Sequence, residues 1–169
     1  MLAQAAQKER SHRKILEFAS RIIRERGARA SSVEDVMAAA GLTRGGFYAH
    51  FRDKTALVAE CIDISFSQAK ENLLLGDDKS ERGRAWLGGE IARSGHELRD
   101  AFNRNVESML SDIEGRLATS SGPARKRAVA TLALWTGGMM LARSVSNPVL
   151  ADEILETCRT EILGTKHRR

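Results

Sequence analysis

The sequence predicts an all-α protein in which a small N-terminal unit of short helices precedes a larger helical body. Apolar residues recur at helical spacing along nearly the whole chain, and no segment alternates as a half-buried strand would. Only 2 prolines interrupt 169 residues, of which 42% are hydrophobic and 29% charged, enough for both a core and solvated helix faces. The net charge of +5 is unevenly spread: residues 1–60 hold 11 Lys/Arg against 7 acids, leaving the remainder near neutral. A basic head on a neutral body suits a polyanion partner, although a mildly basic solvated surface explains the charge equally well.

From about Lys8 to Arg26, residues Ile15, Leu16, Ala19, Ile22 and Ile23 form one face of a helix, which Gly27 stops. Ser32 is the expected N-cap of a second helix, with Asp35 at its third position; Val33, Val36, Met37 and Ala40 follow, and Gly41 ends it. Thr43 is the expected cap of a third short helix, where Phe47 and Phe51 stand one turn apart. Asp53 can cap a fourth, longer helix carrying Leu57, Val58, Cys61, Ile62 and Phe66. Two short helices joined by a tight glycine-containing turn and braced by a longer one make a helix-turn-helix.

Downstream, "DDKSERGRAWL" reads as a short polar helix and the stretch from Gly88 to about Leu117 as one long amphipathic helix, broken by "SSGP". Two more helices follow, "PARKRAVATLALWTGGMMLARSV" and "PVLADEILETCRTEIL", the first unusually apolar.

The run "ASSVEDVMAAAGLTRGGFYAHFRDKTALVAECI" resembles the DNA-binding domain of the TetR family of bacterial transcriptional regulators. The likeness rests on the "AAAG" turn entry, the segment "LTRGGFYAHF" and the "FRDKTAL" opening of the next helix, and it covers about a third of the chain closely. It implies a helix-turn-helix DNA-binding domain over 1–52 and a helical effector-binding and dimerisation domain over 53–169. Such chains usually run longer, so the join between Leu87 and Gly88 is expected to mark either a reduced ligand domain or a missing loop.

Gly45 and Gly46 lie inside the third helix, where each costs roughly 1 kcal/mol relative to alanine. On an α-helical wheel with Phe47 and Phe51 facing inward, Gly45 and Ala49 point the opposite way and leave an almost bare outer ridge. A bare ridge can sit deep in a groove, and docking there offsets the propensity cost. The resemblance implies that Thr43 caps the helix and reaches phosphate, Arg44 reads a base edge or contacts phosphate, and Tyr48 and His50 contact the DNA backbone. Lys54 and Ser32 would meet phosphates at helix starts, while Gly45, Gly46 and Ala49 with Arg44 shape sequence preference.

One such head reads few base pairs, so a homodimer on a palindromic double-stranded operator is expected, with two heads about 34 Å apart. The last two helices are the expected interface, through Trp135, Met139, Met140, Leu155, Cys158 and Ile162. Phe66, Trp86, Phe102, Val106 and Met109 would enclose a pocket for a small-molecule effector if the family pattern holds, and ordinary core packing explains them equally. The implied function is a ligand-responsive regulator, most often a repressor released by its effector.

Other classes find less support. The 4 histidines are scattered without a catalytic or metal-ligand constellation, so no enzymatic activity, cofactor or metal is expected. Cys61 and Cys158 lie outside any CxxC spacing and read as small buried residues, with a thiol sensor as the alternative. A helical interaction module without DNA binding is a further alternative. No apolar run approaches a membrane span and no secretory signal is evident, so a cytoplasmic protein without a membrane partner is expected.

Overall fold

The computed structural model describes residues 2–75, 90–117 and 123–164. The expected polar helix near residue 80, Trp86 and the Leu87–Gly88 join lie outside them. Among the described residues every regular element is helical: α1 (Leu2–Arg26), α2 (Val33–Ala39), a 3₁₀ helix (Arg44–Ala49), α3 (Lys54–Leu75), α4 (His96–Leu117), α5 (Ala124–Ser144) and α6 (Pro148–Gly164).

The chain divides into two compact units. The first comprises α1, α2, the 3₁₀ helix, most of α3 and the described residues 90–103. Helix α1 ends at Gly27, whose φ of 84° few other residues adopt and whose N–H donates to the Ile23 carbonyl, a left-handed cap. Helix α2 starts with a full capping box: the Asp35 N–H donates to Ser32 Oγ at 3.0 Å and the Ser32 N–H to Asp35 Oδ2 at 3.3 Å. It ends in a Schellman turn, with Gly41 at φ 67° and N–H groups of Gly41 and Leu42 donating back to Ala38 and Met37. Asp53 caps α3 through the Ala56 N–H at 2.9 Å, and this bond, followed by the Arg52 contact, holds its carboxyl below the usual range. Around these caps Ile15, Val36, Met37, Phe47, Leu57 and Ile62 are fully buried in one core.

Three local expectations are corrected. The third helix is 3₁₀ and not α, with Gly46 and His50 N–H groups donating three residues back, while the Phe51 N–H just beyond it reaches four. Thr43 has the extended backbone of a cap, but its side chain makes no capping hydrogen bond, because the Gly46 N–H is taken by its backbone carbonyl. The long helix expected from Gly88 is broken at residues 92–95, where Ser94 Oγ donates to the Glu90 carbonyl and Gly95 follows, so α4 starts at His96.

The second unit holds the remainder of α4, from residue 104, with α5 and α6. Arg125 at the start of α5 reaches two carboxylates of α4, Glu107 at 2.8 Å and Glu114 at 3.2 Å. The extensive α5–α6 packing depends on Gly138. A Cβ there would lie 2.5 Å from Cys158 Sγ, closer than real contacts allow. Gly138→Ala is therefore expected to destabilise the protein by about 1 kcal/mol despite its better helix propensity. The same change at Gly115, in open space on α4, should stabilise by up to about 1 kcal/mol. Denaturant midpoints of the two variants check this, and equal shifts would refute the close approach.

Candidate nucleic-acid interface

The proposed contact residues lie in the first unit, where short elements present them. Thr43, Arg44, Gly45, Tyr48 and Ala49 are exposed; Ser32, Gly46, His50 and Lys54 are half-buried. Tyr48 is 64% exposed, although its ring stands edge-on to the buried Phe47 at 5.4 Å. An exposed aromatic anchored at one edge keeps its hydroxyl free for an outside acceptor.

The bare ridge is present at Gly45 and Ala49 but does not extend to Gly46. A Cβ on Gly45 would meet nothing within 4 Å, whereas one on Gly46 would touch Met37 Cε at 3.7 Å and Thr43 Oγ1 at 3.6 Å. Arg44 is paired: its Nη1 lies 2.7 Å from Glu34 Oε1 on the first turn of α2. Lys54 Nζ donates to the Arg29 carbonyl at 3.4 Å, which ties the start of α3 to the turn leading into Ser32.

His50 is held below the ordinary imidazole value, first by burial and then by His12 and Lys8. It is therefore neutral near pH 7, and a contact to phosphate would be a hydrogen bond without full charge. Its Nδ1 is shielded and has no hydrogen-bond partner among the described residues. His12 stacks on Phe51 with ring centroids 4.7 Å apart, and its Nε2 sits 2.8 Å from Glu60 Oε2.

Glu90 contributes a contact for which the sequence carries no local sign. Its two carboxylate oxygens accept separately from the backbone N–H groups of Ala28, at 2.9 Å, and Arg29, at 2.7 Å. Ile91 beside it is buried in the same core, and Glu97 pairs with Arg52 at 2.8 Å. Residues 90–103 thereby brace the turn between α1 and α2.

Of the expected effector residues, Phe66 and Phe102 meet edge-to-face at 5.2 Å in the first unit and pack against its core. Val106 and Met109 belong to the second unit. Among the expected interface residues Met140 is 49% exposed, whereas Trp135, Leu155, Cys158 and Ile162 are half-buried. Met139 is 3% exposed within the protomer and, with Leu155, Arg143 and Ala151, lines a partly open pocket of about 320 Å³ near the α5–α6 turn. Val129, Leu134 and Leu141 on α5 and Val149 on α6 are further exposed apolar side chains.

Cys61 is a core residue whose thiol is pushed up to about 11, chiefly by burial, which opposes the thiolate that a sensor requires. Among the described residues no cluster of three or more His, Cys, Asp or Glu side chains could hold a metal ion, and no helix is long and apolar enough to cross a membrane.

Capped short helices, a tight turn and an exposed segment of Arg, Gly and Tyr define a helix-turn-helix module. The sequence model described as bacterial regulatory proteins, tetR family, matches residues 15–61. The chain is 40% identical over 68 residues to the HTH-type transcriptional regulator AcrR of Shigella flexneri, covering 40% of this chain and 31% of that one. It is 33% identical over 108 residues to the HTH-type transcriptional repressor KstR2 of Rhodococcus jostii, covering 62% and 50%. These matches span half or less of the curated relatives. The reduced form of Escherichia coli NemR shares the fold, with a TM-score of 0.72 at 17% identity over 92% of this chain and 96% of the other. Residues 15–61 thus match the DNA-binding domain of the TetR family, and the whole chain shares the fold of its solved members.

Proposed function

We propose that this chain is a cytoplasmic DNA-binding transcriptional regulator that acts as a homodimer on a palindromic operator and represses until a small-molecule effector releases it. The observation that carries the reading is the Arg44–Ala49 segment: a glycine-ridged surface flanked by an exposed arginine and tyrosine, on a capped scaffold within the family-matched residues. Arg44 reads a base edge, Tyr48, His50, Thr43, Lys54 and Ser32 contact the backbone, and Gly45 and Ala49 permit close approach.

Dimerisation is supported by the apolar surface of α5. Val129, Met140 and Leu141 are each about half exposed, more apolar surface than one solvated helix ordinarily shows. A second copy covering this surface would set the spacing of two heads on successive major grooves. Effector release would follow from differential affinity for two head spacings. The repressor assignment follows the R. jostii relative, a transcriptional repressor.

Fluorescence anisotropy with a labelled duplex that the protein enriches from a random-sequence library tests the reading. Wild type is expected to bind tightly and to weaken steeply with salt. Tyr48→Ala should bind about 10-fold more weakly with its fold intact, because the side chain is largely outside the core. No salt-dependent affinity for any duplex, or only weak binding that the substitution leaves unchanged, would favour an interaction module without DNA binding.

A further inference from the structure

We infer that Glu34 is a positioning and selectivity residue of the interface, holding Arg44 so that its free guanidinium edge reads a base while disfavouring attachment through phosphates alone. This rests on the DNA-binding reading above. The contact joins the second residue of α2 to the first of the 3₁₀ helix through Nη1, at 2.7 Å. An arginine has five N–H donors in a planar fork, so the Nε and Nη2 edge is left to meet a second acceptor pair. The arginine next to the bare Gly45 surface is thus oriented before it meets DNA.

The charge of Glu34 adds a second effect. A carboxylate beside the reading arginine repels phosphates whatever the base sequence, and it also loses its partner whenever Arg44 turns to a phosphate. A guanine edge that accepts from the free side of the fork lets Arg44 keep Glu34 and gain base contacts together. Glu34 therefore weakens non-cognate binding more than cognate binding, which widens the ratio between them. Both side chains are about half exposed or more, so the pair contributes little to folding, and its consequence lies in recognition.

The test compares wild type, Glu34→Gln, Arg44→Gln and the double variant on two labelled duplexes across a salt series. One duplex is that enriched by wild type from a random library; the other has its base pairs shuffled. Glu34→Gln is expected to bind the shuffled duplex about 5-fold tighter. Its salt slope there should steepen by about one ion, as the freed Arg44 neutralises a phosphate. Affinity for the enriched duplex should change less than about 2-fold, so discrimination drops, and in the Arg44→Gln background Glu34→Gln should leave discrimination unaltered. Glu17→Gln, which removes one negative charge from α1, controls for net charge and should not alter the ratio. Unchanged discrimination in Glu34→Gln, or an equal change in Glu17→Gln, overturns this role and leaves the DNA-binding reading standing. A wild-type protein that enriches no duplex overturns both.

Discussion

Phe47→Ala is expected to destabilise the first unit by about 3–5 kcal/mol and to abolish binding of any duplex at temperatures where that unit has unfolded. Phe47 has no exposed surface, stacks on Phe51 at 5.4 Å, and belongs to the cluster that holds Val36 and Met37 of α2 against α1 and α3. The 3₁₀ helix is only six residues long and has no side-chain cap at Thr43. Short helices owe their stability mostly to tertiary packing, so the aromatic pair is what keeps Arg44 and Tyr48 in place. Urea unfolding followed by circular dichroism checks the loss. A change below about 1 kcal/mol would mean that the ring is not buried in solution. The contrast with Tyr48→Ala is instructive: adjacent aromatic residues, one affecting stability and the other binding.

Most of the first unit was legible because its signals are local. The Ser32–Asp35 capping box, the Asp53 cap and the stops at Gly27 and Gly41 each depend on residues within a few positions, and all four are present. The helix type of Arg44–Ala49 was not legible. Phe47 and Phe51 at a separation of four satisfy an α-helical pattern, but over six residues the choice between three-back and four-back hydrogen bonding is made by packing. The break at Ser94 and Gly95 carries no clear sequence signal because an isolated glycine is tolerated inside helices, and apolar spacing resumes on its far side. Met139 and Met140 lie on a helix so apolar that its periodicity hardly distinguishes inside from outside, and only the α6 packing covers Met139 within the protomer.

Glu90 had no sequence signal because its partners lie 62 and 61 positions away. Glu90→Ala is expected to cost about 2 kcal/mol, lowering the melting temperature by roughly 4–8 °C for a chain of this size. Two charge-assisted hydrogen bonds are lost, but Arg29 N is solvent-accessible and water replaces its partner, so most of the loss comes from the partly buried Ala28 N–H. Glu90→Gln should be nearly as damaging, since an amide offers one acceptor oxygen where two donors need one each and directs its NH₂ at the second. The braced turn leads into the Ser32 cap and accepts from Lys54 at the Arg29 carbonyl, so loosening it should also weaken DNA binding several-fold. Amide hydrogen exchange at Ala28 and Arg29 gives the discriminating readout: it should accelerate in both variants while the Asp35 amide, held by the capping box, changes far less. Unaltered exchange at Ala28 would show that the carboxylate does not hold this turn. Accelerated exchange with undiminished DNA affinity would confine Glu90 to folding, because the geometry of the turn would then not be transmitted to Ser32 and Lys54.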